Sequence, residues 1–525
     1  MPLLAILPPA LIPMMWLIGG IVTRQGPDYR QPAMRQRSLC CAFSALLLSL
    51  LAVGILIATE ATTPTLPGEA GQFLSLRLDA ISTTMTVLIS FVGLVVVRFS
   101  HNYLAGDPRQ AEFIRYLCQT LAAVSLLVLA GNLILLLIAW VGMSLSLHRL
   151  LLFYPERPLA RLAAKKKFWL ARLGDAALGM ACLQLYQRTG TIDIAEIATI
   201  ASENNGLSLV APALLLVTAA LLKSAQFPTH GWITEVMEAP TPVSALLHAG
   251  IVNAGGFLIL RFSGVVVSSE LALYVLLLVG GVTALFGSLV MMTQRSIKSA
   301  LAYSTIAQMG FMLLQCGLGA FSSAMLHIVA HSLYKAHAFL ASGSIVDAAR
   351  GNGFQTRAAE VRPVAVAISL IIAGGLFIGG SHLSGLTLDT KPTIVGLGAI
   401  LVFATMHLLI QSNRQTRSLV LFAKAGLTAS VVSGLYFMLQ IGAAQIFEGA
   451  VPSEGQLLPL QFLLMLLMLV TFGAVIALQW FLPSAQASDR WRAFWVHLAN
   501  GFYVNQIINH LVLPQAGDSD SRYRA

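Results

Sequence analysis

The sequence predicts an all-α, polytopic membrane protein of about 14 to 15 transmembrane helices. Its 525 residues are 57% hydrophobic and only 10% charged, and the mean hydropathy is +0.79, a profile that a water-soluble core of this size does not require. Apolar runs of about 20 residues, long enough to cross a bilayer as helices, recur along the whole chain. Such continuous runs do not fit the alternating strands of a membrane β-barrel.

Fifteen apolar segments are candidate spans. They are residues 3–22, 38–59, 79–99, 114–130, 132–153, 167–187, 207–226, 243–262, 270–292, 297–317, 321–346, 362–381, 393–412, 418–440 and 458–482. The first lacks a basic leading region and carries Pro8, Pro9 and Pro13, so we expect a retained helix instead of a cleaved signal.

The basic residues predict the orientation of the chain. Odd-numbered spans end in basic loops, whereas the loops after even-numbered spans are acidic or nearly neutral. Residues 157–167, after the fifth span, include the consecutive lysines Lys165, Lys166 and Lys167, which we interpret as topology signals. We therefore expect a bacterial inner-membrane protein with a periplasmic N-terminus and a cytoplasmic C-terminal tail. The net charge of +10 is spread over loops, so we expect membrane lipid and no nucleic acid as a partner.

Ionisable residues inside the apolar spans are candidate functional residues, because a charge at membrane depth costs at least a few kcal/mol. Lys223 ends the seventh span just before Pro228, which should break the helix. His248 lies in the eighth span and Lys335 in the middle of the eleventh. Asp175, in the sixth span, could pair with one of the lysines.

The eleventh span carries a line of protonatable residues. His327, His331 and Lys335 are spaced by four residues, so they stack on one face of a helix. A lysine–carboxylate contact that opens and closes can gate a proton, and histidine bridges such sites because it titrates near neutrality. The residues predict a proton path; the alternative is that they only hydrogen-bond between helices and fix packing.

No pattern of a metal or cofactor site is present in the sequence. The five cysteines fall in apolar spans without ligand spacing, so we expect them to be packing residues. Phosphate-binding glycine loops, dinucleotide fingerprints and nucleophile elbows are absent from the sequence. We expect no metal site, no cofactor and no enzymatic activity in this chain.

Two motifs bring a family resemblance. They are Lys223-Ser224-Ala225-Gln226-Phe227-Pro228 and Ala239-Pro240-Thr241-Pro242-Val243-Ser244-Ala245-Leu246-Leu247-His248-Ala249. Both resemble the signature of the antiporter-like, proton-conducting subunits of respiratory complex I, and residues 295–310 and 335–343 resemble two further blocks of that family. The resemblance covers roughly residues 70–390.

The resemblance implies inverted five-helix repeats with broken helices and two half-channels. It implies that Lys223 is the central proton carrier, His248 the relay and Lys335 the lysine of the second half, and Asp175 matches a family carboxylate close to the gate. The expected parts are N-terminal transmembrane helices (1–112), two helix repeats (113–262 and 263–412), C-terminal transmembrane helices (413–482) and a partner-docking tail (483–525).

Two stretches depart from the family pattern. Where the family usually reads Trp-Glu-Gly, this chain has Trp140-Val141-Gly142, so Asp175 would have to replace the missing carboxylate partner of the gate. Where the family tends to have a lysine near the twelfth span, this chain has Ser384-Gly385-Leu386-Thr387-Leu388-Asp389, so the exit lysine is absent.

These departures fit the DabB-type branch of the family, the membrane subunits of inorganic-carbon accumulation complexes, and residues 147–157 and 499–504 also resemble that branch. The resemblance implies a large cytoplasmic DabA-type partner that resembles a carbonic anhydrase and carries the catalytic zinc. The chain would conduct H⁺, and the partner would use the gradient to hydrate CO₂ to bicarbonate. Alternatives are a subunit of a Na⁺/H⁺ antiporter, a redox-driven pump related to complex I or hydrogenase, and a scaffold without conduction. The sequence leaves H⁺ or Na⁺ open.

Two further groups of residues are candidate contacts. Residues 487–515 predict an amphipathic cytoplasmic helix, either lying on the membrane surface or docking a soluble partner through an aromatic stripe. The stripe consists of Trp491, Phe494, Trp495, Phe502 and Tyr503. The loop beside the broken helix could feed protons to it, contact a partner or be merely solvated; its candidates are His230, Glu235 and Glu238.

Overall fold

The computed structural model describes residues 2–23, 31–59, 74–203, 206–343, 363–387, 391–415, 419–485 and 489–512. Each of the fifteen predicted spans coincides with a helix. The described residues contain no β-strand, only the isolated bridges Leu76–Ala130 and Asn132–Asp193. The all-α fold class is therefore confirmed.

The helices that coincide with the spans are labelled α1 to α15. They are Pro2–Ile21, Gln31–Thr59, Ala80–Tyr103, Gln110–Leu129, Leu133–Leu151, Pro158–Thr189, Val210–Lys223, Thr241–Arg261, Glu270–Met291, Ile297–Gly317, Phe321–Leu340, Pro363–Ser384, Pro392–Gln415, Leu419–Ile446 and Pro459–Ala485. The tail forms α16, Asp489–Ala499, and α17, Val504–Val512. Short helices connect some of these elements: Ile194–Ser202, Gly231–Glu235 and Ser263–Val267.

Most of these helices are suited to cross a membrane. Nine of those in the described part are long and apolar enough (α2 to α5, α8, α9, α12, α14 and α15), and α1, α7 and α13 contain shorter apolar stretches. The other three, α6, α10 and α11, are less apolar; α6 and α11 carry charged side chains that are buried between helices. The chain is a multi-pass membrane protein in which some helices carry charged side chains that are buried against their neighbours.

Three of the basic loops in the described part of the chain lie at one end of the molecule, which we call the basic end. Tyr154, after α5, donates a 3.0 Å hydrogen bond to Asp107, after α3. Gln294, after α9, donates to the carbonyl of Ala499 in the tail at 3.3 Å. Lys166, which follows the α5 loop, also donates to Asn505 in the tail. The loops that follow α3, α5 and α9 therefore lie on the same side as the tail. This arrangement agrees with the predicted alternation of loops; the repeat boundaries remain predictions.

A buried ion cluster, which was not predicted from the sequence, lies at the opposite end of the molecule. Asp79, 2% exposed, caps α3 by accepting from the backbone N–H of Ser82 at 2.8 Å. Its Oδ2 lies 2.5 Å from Nη1 of Arg261, at the end of α8, and 2.7 Å from Nε of Arg77. Arg261 also donates to the carbonyl of Val128 at 3.3 Å. The cluster ties α3, α4 and α8 together, because a buried charge is tolerated only when it is paired.

Helices α9 and α10 pack closely through glycines. A Cβ atom added to Gly310 would lie 2.6 Å from both the backbone nitrogen of Ala284 and the carbonyl oxygen of Gly280. Backbone atoms cannot rotate away as a side chain can. Small residues that let two backbones approach are typical of helix contacts in membranes, where van der Waals packing replaces the hydrophobic effect.

We predict that Gly310→Ala destabilises the protein by about 1–3 kcal/mol, because the methyl group overpacks the contact between α9 and α10. The measurement is the thermal unfolding midpoint of the purified protein in detergent. Gly54→Ala is the matched control, since a Cβ atom at Gly54 meets nothing within 4 Å. Equal midpoints for the two variants would contradict the close packing described here.

Candidate proton-path site

The predicted helix break after Lys223 is confirmed. Helix α7 ends at Lys223, and Ala225 adopts a left-handed backbone with φ of 52° before the chain reaches Pro228. Ser224, which caps the helix, donates its hydroxyl to the carbonyl of Val252 in α8 at 2.9 Å. The break therefore faces α8 directly and leaves Lys223 at the end of a helix inside the protein.

Lys223 is buried, with 8% of its surface exposed. Its Nζ lies 4.5 Å from the centroid of the Trp140 ring, a cation–π contact. Within the described part of the chain, this ammonium has no hydrogen-bond partner. It borders a cavity of about 20 Å³ that Trp140 and Trp232 also line. A cavity of this volume has room for about one water molecule.

Asp175 lies close enough to Lys223 for their charges to interact. Its direct ion pair among the described residues is, however, with Arg172, whose Nη2 is 2.5 Å from Oδ2. The structure thus brings Asp175 close to Lys223 but pairs it with an arginine on the same helix. The i,i+3 spacing of Arg172 and Asp175 is a sequence signal that could have predicted this pair.

The three consecutive lysines of α6 differ in environment. Lys165 is exposed, whereas Lys166 and Lys167 are buried. The interpretation of all three as topology signals is therefore incomplete. Successive residues on an α-helix point about 100° apart, so three consecutive side chains cannot all face the same loop. This helix geometry is the sequence signal that could have predicted the burial of at least one of the three lysines.

The predicted line on α11 is present. Lys335 is fully buried, and its Nζ donates to the carbonyl of Leu301 in α10 at 3.3 Å. The rings of His327 and His331 have centroids 6.0 Å apart. The four-residue spacing therefore places these three side chains along one face of α11, as expected.

His248 lies in a π-helical turn, Leu247–Ile251, that interrupts α8 and was not predicted. Its fully buried ring stacks on Phe339 of α11 with centroids 4.3 Å apart, and neither ring nitrogen has a hydrogen-bond partner among the described residues. Asn253 donates to Ser332 at 2.8 Å, which joins α8 to α11. Single π-turns are frequent at functional sites. His248 thus lies beside the α11 line.

At the basic end, the tail folds onto the loop that follows the broken helix. Oε1 of Glu235 accepts from Nδ2 of Asn505 at 2.6 Å and from Nδ2 of Asn509 at 3.1 Å, and it lies 3.3 Å from Nζ of Lys166. Lys166 also donates to Asn505. His230 is buried beside this cluster, where its ring contacts Phe286 at a centroid distance of 4.7 Å. The side chain of Glu238 lies outside the described residues.

The predicted single amphipathic tail helix is wrong, because the tail has two helices separated by the turn Gly501–Tyr503, where Phe502 and Tyr503 have positive φ. Trp495 packs inward with Leu498 against the α9 core, whereas Phe494 and Phe502 are 37% and 43% exposed. Trp491 and Tyr503 are half-buried. The five aromatic residues therefore do not form one outward stripe.

Two remaining expectations concern absences. The described residues contain no group of three or more His, Cys, Asp or Glu side chains that could hold a metal ion. Of the stretch that lacks the exit lysine, Leu388 and Asp389 lie outside the described residues, and Gly385 adopts a positive φ at the end of α12.

We predict that Glu235→Ala accelerates hydrogen–deuterium exchange in residues 489–512 by about tenfold or more. The substitution removes the acceptor of two tail hydrogen bonds that contribute about 1 kcal/mol each. Glu196→Ala is the control, because Glu196 accepts from Thr191 at the opposite end of the molecule. Identical tail exchange in both variants would show that Glu235 does not hold the tail.

Two family models match the chain. Residues 72–114 match the model described as NADH-ubiquinone oxidoreductase (complex I), chain 5 N-terminus. Residues 130–373, which include the break after Lys223, His248 and the whole of α11, match the model described as NADH:quinone oxidoreductase/Mrp antiporter, TM.

Individual relatives agree with these models. A probable inorganic carbon transporter subunit, DabB2, from Halothiobacillus neapolitanus is 39% identical over 95% of this chain and 92% of its own length. The corresponding DabB subunit from Hydrogenovibrio crunogenus is 42% identical over 64% of this chain and 63% of its own. The fold is similar to a chain in the structure of the Mrp complex from Dietzia sp. DQ12-45-1b, with a TM-score of 0.66 and 24% identity over 96% of this chain and 59% of that chain. The chain belongs to the NADH:quinone oxidoreductase/Mrp antiporter family and, within it, to the DabB group of probable inorganic carbon transporter subunits.

Proposed function

We propose that this chain is the proton-conducting membrane subunit of an inorganic-carbon uptake complex. Protons that cross it down their gradient drive the hydration of CO₂ to bicarbonate by a cytoplasmic, carbonic-anhydrase-like zinc partner of the DabA type. The chain itself forms and breaks no covalent bond other than bonds to protons. It resides in a bacterial inner membrane with the basic end and the tail in the cytoplasm, as the positive-inside rule requires.

The observation that carries this proposal is the state of Lys223. The lysine is buried at a helix break, without a hydrogen-bond partner among the described residues, and the carboxylate nearby is already paired with Arg172. A buried charge that serves stability alone is normally paired and hydrogen-bonded. An intramembrane lysine left without such bonds is suited to gain and lose a proton.

The proposed path runs from the loop of His230 and Glu235 to Lys223, then through His248 to the face of α11. His248 is suited to pass the proton from Lys223 to α11. Its ring has no hydrogen-bond partner among the described residues and lies against the helix that carries Lys335. His331 and His327 continue the line along α11. The histidines and lysines of this path can hold a proton at nitrogen and Glu235 can hold one at oxygen, and each can pass it on.

The available energy is sufficient. A proton that crosses a potential of about 150–200 mV releases roughly 3.5–4.6 kcal/mol. At about 1.4 kcal/mol for each factor of ten, this sustains a concentration ratio of several hundredfold to over a thousandfold per proton.

We also propose that the partner docks on the outward side of the tail. Phe494, Val496, Phe502 and Ile507 are each more than a third exposed there, next to the helices that contact Glu235. Exposed aromatic and aliphatic side chains beside polar ones are typical of the centre of a protein interface. A partner at this place would touch the segment that covers the gate loop.

Other functions within the same fold are a Na⁺/H⁺ antiporter subunit and a redox-driven pump. The likeness to a chain of the Mrp complex favours the antiporter as the second candidate. A scaffold without conduction is a third. The candidates differ in their partners, because an antiporter or redox pump assembles with several membrane subunits, whereas the proposed complex needs one large soluble zinc protein.

We predict that the chain, purified from native membranes in mild detergent, brings one large soluble protein that contains zinc. Mass spectrometry identifies the partner, and elemental analysis measures the metal. Recovery of several membrane subunits, or of flavin and iron–sulfur proteins, would contradict the proposed function and favour the antiporter or redox-pump function.

We predict that Lys223→Ala abolishes growth of the host in ambient air and that elevated CO₂ restores it, because diffusion then replaces active uptake. Lys165→Ala, which alters an exposed lysine, should grow as the wild type does in both atmospheres. Immunoblots establish that both variants reach the membrane. Normal growth of Lys223→Ala in ambient air would support the scaffold function.

A further inference from the structure

A second lysine shares the gate with Lys223. Lys167 is 5% exposed, although it lies in the first third of α6, directly after two other lysines of the same helix. Its Nζ donates to the carbonyl oxygen of Ser144 in α5 at 2.8 Å and to the Ser144 hydroxyl at 3.2 Å. The side chain therefore crosses from α6 to α5 inside the protein.

Lys167 and Lys223 line the same cavity of about 20 Å³. The walls are otherwise mostly apolar and include Trp140, Trp232 and Gly174. The cavity has room for about one water molecule. The two side chains therefore border one small space that could carry a single water between them.

The charges around this space do not balance. Lys167, Lys223 and Arg172 surround a single carboxylate, Asp175, which pairs with Arg172 at 2.5 Å. From α5, His148 also faces the charges of Lys167 and Arg172, and this imidazole adds no negative charge. Two lysine ammonium groups beside one carboxylate that is already paired would repel each other in a medium of low dielectric.

Helix α5 explains why a lysine fits here. Val141 occupies the position where the family usually has a carboxylate, and Ser144 follows it one turn later. Lys167 binds to Ser144, so a basic group lies close to the place where the family resemblance implies an acidic one. A lysine that gives up its proton can remain in such surroundings without a counter-ion.

We propose that Lys167 is a second proton-carrying residue of the gate and that it exchanges one proton with Lys223 through a single water molecule. An ammonium N–H of one lysine donates its proton to the water, and the water donates a proton to the amine of the other lysine. One lysine of the pair is charged at a time. This inference rests on the proposed function, and it adds Lys167 to a proton path that does not otherwise include this residue.

The test is the rate of proton uptake by liposomes that contain the complex, measured with an internal pH dye under an imposed potential. Lys167→Met keeps the length of the side chain but cannot hold a proton, and we expect uptake to fall at least about tenfold. Lys167→Arg keeps the charge and the hydrogen-bond donors but does not release its proton, and we expect the same fall. Lys165→Met is the matched control and should conduct as the wild type does.

The two substitutions separate proton transfer from a structural role. If Lys167 only anchors α6 to Ser144, Lys167→Arg conducts normally while Lys167→Met is impaired, and the inference is overturned. Normal conduction by a Lys167→Met variant also overturns it. Thermal unfolding midpoints identify any variant that is misfolded. If Lys167→Met is misfolded, Lys167→Gln, which also cannot carry a proton, replaces it in the comparison. A wild-type complex that takes up no protons would overturn the proposed function itself, a result distinct from both.

Discussion

The structure depends on how it accommodates lysine charges at membrane depth. Moving an ammonium out of water costs several kcal/mol even after the protein relaxes. The chain meets this cost by burying the side chains of Lys223 and Lys335 between helices. Lys335 donates to a backbone carbonyl, whereas among the described residues Lys223 contacts the face of Trp140 and lies near a carboxylate that is already paired. The less satisfied lysine lies at the break between two helices, and this is where we place the gate.

Much of the fold was predictable because the bilayer fixes the length of each apolar run. Each predicted span coincides with a helix, and Pro228 located the break after Lys223. The positive-inside rule counts basic residues near the ends of spans and does not distinguish an exposed lysine from one whose side chain is buried between helices. The burial of Lys166 and Lys167 was therefore not predicted. Periodicity likewise cannot predict a π-turn such as the one at His248, because it depends on contacts with another helix.

Helix α6 connects the gate to the tail. Adjacent lysines on this helix point in different directions: Lys167 reaches the cavity of Lys223, and Lys166 reaches Glu235 and Asn505. A change in the position of α6 would therefore alter contacts both at the proposed gate and at the surface where we propose that the partner docks. The family resemblance alone did not predict this connection, since it depends on how the tail folds back.

The central claim is that a proton gradient through this chain drives inorganic-carbon uptake. The most direct measurement is the uptake of radiolabelled inorganic carbon by sealed membrane vesicles that contain the complex, under an imposed proton gradient in Na⁺-free buffer. The account predicts accumulation that rises with the gradient and disappears when a protonophore collapses it. Accumulation that survives the protonophore, or that appears only when Na⁺ is added, would contradict the account.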